Sequence, residues 1–135
     1  MDNLWFMDLL PKIFSFVSYS MDEIPEIADM KIKYTDESFN VTEAVFPTVY
    51  IHELTGPELG NDLENTTVNA VNELIQIDVF NVTGEMDNRK ILAAAIVAMK
   101  GLRFTMSDKP FVNTEGSLTT GIIRFRRIIA AGDTL

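Results

Sequence analysis

The 135-residue chain contains no cysteine and only one histidine, His52. The absence of cysteine excludes disulfides, thiolate metal sites, iron–sulfur clusters and cysteine nucleophiles. A single histidine excludes histidine-rich metal sites and paired-imidazole chemistry. The chain also lacks phosphate-binding glycine loops and the Gly-x-Ser-x-Gly turn that presents a catalytic serine. These absences predict a protein that is not an enzyme and that uses no metal or other cofactor.

Basic residues are also scarce, because 11 Lys and Arg stand against 20 Asp and Glu, for a net charge of −9. This balance argues against a protein that coats nucleic acid, since phosphate contacts need a basic surface. The acidic excess is concentrated in residues 1–65, which hold 13 acidic and 3 basic side chains. Residues 66–135 hold 7 acidic and 8 basic side chains. The division predicts surfaces of opposite sign on one molecule, which suit docking onto neighbours.

Signals for a membrane or for secretion are missing as well. The apolar stretch over residues 4–21 is interrupted by Asp8, Pro11 and Lys12, so it does not predict a membrane span. The first six residues lack the basic region of a secretory signal. The length suits one domain with one core. We therefore expect a single domain over residues 1–135, with an N-terminal helical arm over about residues 1–21 and no membrane partner.

Apolar residues recur at helical spacing near the N-terminus: Leu10, Ile13, Phe14, Val17 and Met21. Pro11 suits a first helical position, so the pattern predicts a helix over residues 11–20. Trp5 and Phe6, in the arm before this helix, add more apolar surface than one side of a small domain requires. They are candidates for a subunit or partner contact, and the alternative is an ordinary core helix.

The rest of the chain alternates extended segments with one further helix. The predicted elements are extended segments over 30–39 and 46–54, an acidic loop over 55–65, a strand over 67–82, a helix capped by Thr83 or Asp87 and followed by Gly101, and strands over 102–111 and 118–130. The order α-β-β-β-α-β-β predicts an α+β fold, with helices packed on a largely antiparallel sheet.

His52 and Glu53 are neighbours in one of these strands and therefore point to opposite faces of the sheet. The histidine thus has no catalytic partner that the sequence can identify. We interpret it as a structural or surface residue.

The loop over residues 55–65 concentrates carboxylates. Glu58, Asp62 and Glu64 could supply oxygen ligands to a hard cation, but their spacing matches no EF-hand loop. A solvated loop, or a loop that docks on a basic neighbour, is the preferred interpretation. The three residues are therefore candidate partner contacts, and no metal site is predicted.

The last predicted strand carries three arginines. Alternation places Arg124 and Arg126 on one face of the sheet and Arg127 on the other. Guanidinium groups suit contacts with carboxylates or phosphates. The arginines either form ion pairs on a solvated sheet face or contact a subunit or another partner.

Several stretches of the sequence resemble a known family. They are LLPKIF (residues 9–14), FPTVYI (46–51) with Glu53, GNDL (60–63), and RFRRII (124–129) with Gly132 and Asp133. With the length, the absence of cysteine and the order of elements, they make nearly the whole chain similar to the small tail terminator (tail completion, head–tail joining) proteins of tailed bacteriophages.

The resemblance implies a homo-oligomer, a hexameric ring that caps the tail tube, stops its polymerisation and offers a surface for head attachment. The implied partners are the tail tube protein and the head-completion or connector proteins. The implied location is the tail or neck of the virion, after assembly in the cytoplasm of a bacterial host. DNA passes through such a ring without specific binding, which an acidic lining favours. The alternatives are another head–tail connector or neck protein, and a small acidic ligand-binding regulatory module.

Overall fold

The computed structural model describes residues 4–37, 45–54, 58–61 and 68–135. A 3-10 helix over Trp5–Asp8 leads into α1 (Leu9–Asp22), which is followed by α2 (Pro25–Ala28) and later by α3 (Glu85–Gly101). None of the described helices is long and apolar enough to span a membrane. The described strands are β1 (Lys33–Thr35), β2 (Thr48–Leu54), β3 (Glu58–Asn61), β4 (Val68–Asn81), β5 (Thr105–Met106), β6 (Phe111–Glu115) and β7 (Leu118–Ala130).

These strands form one mixed sheet, whose main path is β1-β2-β4-β7-β5. Its centre is the long antiparallel pair of β4 and β7, which runs from Ala70 opposite Ala130 to Asn81 opposite Thr119. On the side of β4 away from β7, β2 and β3 pair with successive parts of β4. On the side of β7 away from β4, β5 and β6 pair with successive parts of β7. All four pairings are antiparallel. β1 joins β2 in parallel at the edge. The predicted α+β fold, with a largely antiparallel sheet, is confirmed.

The helices pack on one face of the sheet, and the core lies between these two layers. Alternation in β4 sends every second side chain from Glu73 to Val79 into this layer, as the sequence pattern predicted. The fully buried apolar side chains include Val49, Ile51, Ile75, Ile77, Val79, Ile13, Val17, Met21, Ile91, Ala95 and Met99. Burial of each larger side chain in this group contributes about 1.5–3 kcal/mol of hydrophobic free energy.

The first helix begins earlier than residue 11. Pro11 is the third residue of α1, and the buried stripe runs through Leu9, Ile13, Val17 and Met21. The first four N–H groups of a helix have no acceptor within the helix, so proline at the third position breaks no hydrogen bond. The sequence therefore placed the buried side of the helix correctly and its start wrongly.

The predicted N-cap of α3 is wrong. Gly84, with φ of 104°, occupies the N-cap position instead of Thr83 or Asp87. The Thr83 hydroxyl donates to the Asp87 carboxylate at 2.7 Å, so the two candidate caps bond to each other. The buried stripe of the helix, which includes Ile91 and Ala95, is as predicted.

The other end of α3 closes in a Schellman motif. The Phe104 N–H donates to the Met99 carbonyl at 3.0 Å, and the Arg103 N–H donates to the Lys100 carbonyl at 2.9 Å. Gly101 is the last helical residue, and Arg103 holds the left-handed position with φ of 62°. An arginine thus stands where glycine is the usual residue, because glycine has no Cβ to crowd the backbone.

The acidic segment predicted as a loop contains a strand. In β3, Glu58 lies opposite Val71 and Leu59 lies opposite Ala70 of β4. The turn residues around this segment favoured a loop. The neighbouring edge of β4 supplies backbone hydrogen-bonding partners that no local pattern reveals.

Two other predicted strands are shorter in the structure. The segment over residues 102–111 first completes the end of α3 and is then extended only over Thr105–Met106 and from Phe111 onward. Pro110 lies between these two strands, and it cannot donate to a strand ladder. The segment predicted over residues 30–39 is extended over Lys33–Thr35.

A buried polar contact fixes α3 on the sheet. The Asn88 side-chain amide donates to the Val79 carbonyl and to Asn81 Oδ1, at 3.0 Å in each case. Gly121 of β7 lies directly below Asn88, and a Cβ at this position would overlap Asn88 Oδ1. The close approach of helix and sheet therefore requires glycine at this point.

Candidate functional site: the uncovered face of the sheet

The sheet has a second face that no described helix covers. We define the uncovered face by the outward side chains of the three central strands: Tyr50, His52, Leu74, Gln76, Asp78, Phe80, Ile122, Arg124, Arg126 and Ile128. Arg124, Arg126 and Ile128 are exposed, and the other members are half-buried. One solvated face is normal for an antiparallel sheet, so the composition of the face must decide whether it has a role.

A row of polar side chains crosses this face from β7 to β2. Arg124 Nε donates to Gln76 Oε1 at 2.8 Å, and Gln76 Nε2 donates to Asp78 Oδ1 at 2.8 Å. The other carboxylate oxygen of Asp78 lies 3.4 Å from His52 Nε2. The His52 ring stacks on Tyr50 with centroids 4.1 Å apart. We call these five residues the polar row.

The polar row presents hydrogen-bond donors and acceptors that are fixed by one another. Asp78 lies beside His52, in the position of the carboxylate that orients the base of a nucleophile–base pair. The other groups that contact this pair are the Tyr50 ring and the Gln76 amide. Such an arrangement orients the Arg124 guanidinium and suits recognition of another surface.

Sequence reasoning missed Asp78 as the partner of His52. It tested the adjacent Glu53, which lies on the other face. The two strands pair with His52 opposite Gln76 and Tyr50 opposite Asp78, so His52 and Asp78 are diagonal neighbours. Alternation places both residues on the outward face, but only the register between β2 and β4 brings them together.

The predicted alternation of the three arginines between the two faces of the sheet is confirmed, and their role as partner contacts stays a prediction. Arg124 and Arg126 project together from the uncovered face, and Arg124 Nη1 also lies 3.8 Å from Asp108. Arg127 lies on the opposite side of the strand, where it donates to the carbonyls of Leu102 and Thr134 at 2.9 and 3.1 Å. The Arg127 guanidinium thus secures the C-terminal segment to the end of α3.

A third guanidinium joins two of these arginines at the margin of the sheet. Arg103, Arg126 and Arg127 line one cavity of about 330 Å³, together with Asn72, Thr105 and Ile128. Arg103 donates to the Thr134 carbonyl at 2.7 Å. Burial, and then the nearby charge of Arg103, lower the pKa of Arg127. We call this site the arginine pocket.

The two aromatic candidates of the N-terminal arm pack within the chain. Trp5 and Phe6 are half-buried against the core and make an edge-to-face contact, with ring centroids 5.9 Å apart. Trp5 also lines an open groove of about 600 Å³ between the arm and the C-terminal residues, as do Lys12 and Leu135. Their half-buried surfaces leave part of each ring available to another molecule.

The acidic candidates give less information. Glu58 belongs to β3, where its backbone pairs with β4. Asp62 and Glu64 lie outside the described residues. Within the part of the chain that the structure describes, no three acidic or histidine side chains are grouped closely enough to hold a metal ion.

The helix-covered face holds a carboxyl that the sequence pattern placed correctly but did not explain. Glu73 follows the buried alternation of β4 and is 6% exposed. Burial, a hydrogen bond with Glu53 and the charge of Glu53 raise the pKa of Glu73 to about 8. The position of Glu73 therefore favours its protonated form at neutral pH.

No protein-family model matches the chain. A search of curated proteins also finds no significant match.

Proposed function

We propose that the chain is a structural subunit of a tailed-bacteriophage virion, a terminator that forms a ring on the end of the tail tube. In this role it stops polymerisation of the tube and gives the head a surface to join. The proposal rests on the resemblance of four sequence stretches to tail terminators. The uncovered face of the sheet is the structural observation that supports it best.

The composition of the uncovered face suits a protein contact. Arg124 is held by Gln76 in the centre, so less rotamer entropy is lost when the guanidinium meets a partner. Two apolar side chains are strongly exposed here: Ile128 on the uncovered face, at 63%, and Phe111 at the margin of that face, at 60%. Arginine and aromatic side chains are enriched at the centres of protein interfaces. The face thus combines a fixed charge with apolar surface.

The charge of the chain agrees with a ring through which DNA passes. A net charge of −9 per copy repels phosphates at short range, so the DNA moves through without being held. The partners in this proposal are further copies of the chain, the tail tube protein and the head-completion or connector proteins. The proposed location is the tail or neck of the virion.

The decisive experiment locates the protein and removes it. Purified virions are analysed by mass spectrometry and by antibody labelling, and the gene is deleted from the phage that encodes the chain. We expect the protein at the neck, and we expect the deletion to give tails of uncontrolled length that do not join heads. Virions that lack the protein, or normal tails after the deletion, would overturn the proposal.

A further inference from the structure

The two edges of the sheet carry opposite charges. The arginine pocket lies at the β5 edge, because Arg103 is two residues before the start of β5 and Thr105 pairs with Arg126. The pocket holds three guanidinium groups, and the charge of one carboxylate, Asp133, acts on Arg127. The pocket therefore keeps a positive charge.

The β1 edge is acidic. The end of α1 and the short α2 carry four exposed carboxylates, which we call the acidic corner: Asp22, Glu23, Glu26 and Asp29. Burial raises the pKa of Tyr34 in β1, and Asp22, one of these four, lies close enough to this tyrosine for its charge to raise that pKa further. The corner belongs to the strongly acidic half of the sequence.

The arginine pocket and the acidic corner are too far apart to neutralise one another within one chain. Four strand spacings separate β1 from β5, which corresponds to about 19 Å at ~4.8 Å per strand. The 14 residues of α1 span a similar distance, about 21 Å, from the C-terminal groove to the acidic corner. Each distance is about two and a half times the Debye length of ~8 Å at physiological salt.

We propose that the arginine pocket of one copy binds the acidic corner of the next copy. The inference rests on the ring of the proposed function and names the contact between its subunits. Two different surfaces meet in such a contact, so the interface is heterologous. Heterologous interfaces are the kind that generates rings when the rotation closes.

The arginine pocket is arranged in advance for carboxylates. The guanidinium groups of Arg103 and Arg127 are both held by the Thr134 carbonyl. Arg126 is exposed and makes no side-chain hydrogen bond or ion pair with the described part of the chain. Guanidinium groups bind carboxylates with two parallel hydrogen bonds, and groups that are already ordered lose little entropy on binding.

The backbone at Arg103 supports the same conclusion. The left-handed conformation is unfavourable for a residue with a Cβ, because the Cβ crowds the following carbonyl oxygen. The Schellman motif nevertheless places an arginine there, and its side chain reaches the arginine pocket. Backbone strain of this kind is concentrated at sites of function.

The test uses two charge-reversed variants of the full chain. Arg126→Glu cancels the net positive charge of the pocket, and Glu23→Lys with Glu26→Lys cancels the net negative charge of the corner, so neither variant keeps the attraction between its own copies. In an equimolar mixture the two variants can alternate: the unchanged pocket of one then meets the unchanged corner of the other, and the introduced glutamate meets the introduced lysines. Sedimentation velocity measures self-association at about 50 mM and at about 500 mM NaCl, which changes the screening of the contact.

We expect the wild-type chain to associate at low salt and about tenfold more weakly at high salt. Each variant alone should remain monomeric, and the mixture should recover the wild-type association. Arg89→Glu reverses an exposed charge on α3 beside Pro110 and Val112, in a cavity that shares no residue with either surface, so it is the matched control and should associate normally. Circular dichroism melts establish that every variant is folded.

Three outcomes would overturn the interface: a wild-type chain that is monomeric at low salt, variants that associate normally, or a mixture that stays monomeric. These outcomes leave the proposed function standing if the protein is still found at the neck of virions. If the protein is absent from virions while the mixture of the two variants still associates, the proposed function is overturned and the contact between copies stands.

Discussion

At the scale of single residues, Glu73 is a buried carboxyl whose ionisation opposes folding. Its pKa is raised from 4.5 to about 8 by burial and by Glu53, so the folded chain binds this proton more tightly than the unfolded chain. The stability that the group contributes is therefore complete below pH ~4.5, decreases as the pH rises, and is lost above pH ~8. Glu73→Gln removes the titration. We expect the variant to be more stable than wild type by about 2–4 kcal/mol at pH 9, with a difference that shrinks toward pH 5.

Urea unfolding at pH 5, 7 and 9 checks this expectation. Glu115→Gln is the matched control, because it makes the same substitution at an exposed strand glutamate outside the core. Parallel stability curves for wild type and Glu73→Gln would show that Glu73 is ionised in the folded protein.

At the scale of elements, the contact between Asn88 and Gly121 determines how closely α3 approaches β7. A methyl group at residue 121 would overlap Asn88 Oδ1 and would lie 2.9 Å from a methyl carbon of Leu92. We expect Gly121→Ala to destabilise the fold by about 1–3 kcal/mol through overpacking. Asn88→Ala removes the obstacle but also the hydrogen bond to Val79. The double variant should therefore lose less stability than the two single variants together.

Thermal and urea unfolding of the four proteins in this cycle measure the coupling. Gly101→Ala is the matched control, because the nearest side-chain atoms there belong to the partly exposed ring of Phe16, which can move. Additive losses in the double variant would mean that Gly121 is not required to accommodate Asn88.

The sequence predicts the buried faces of single elements, but not the contacts between elements. The alternation of β4 and the stripe of α3 are local patterns, so the buried face was predicted correctly, including Glu73. The pairing of β3 with β4 was missed, because a short polar strand is stabilised by its neighbour rather than by its own residues. The contact of His52 with Asp78 and the grouping of Arg103 with Arg126 around one cavity depend on register and tertiary packing, and no local spacing indicates them.

At the scale of the whole molecule, the two exposed arginines of β7 serve two different surfaces. Arg124 belongs to the polar row of the uncovered face, whereas Arg126 lines the arginine pocket at the sheet edge. We expect Arg124→Glu to reduce the joining of heads to tails while self-association is kept, since the pocket is unchanged. Arg126→Glu should reduce self-association. The double variant should lose both properties and still fold, because both side chains are solvent-exposed.

Complementation of the deleted phage measures joining, as the number of plaques and as the fraction of complete virions in electron micrographs. The double variant Arg89→Glu with Lys90→Glu carries the same change of charge on the exposed side of α3 and should complement fully. Each of the two double variants makes the net charge of the chain more negative by four units. A comparison between them therefore separates an effect of total charge from an effect of position. If the Arg124→Glu, Arg126→Glu double variant joins heads and tails normally, neither arginine has the proposed role. If both double variants fail equally, the total charge of the chain, rather than the position of these arginines, determines assembly.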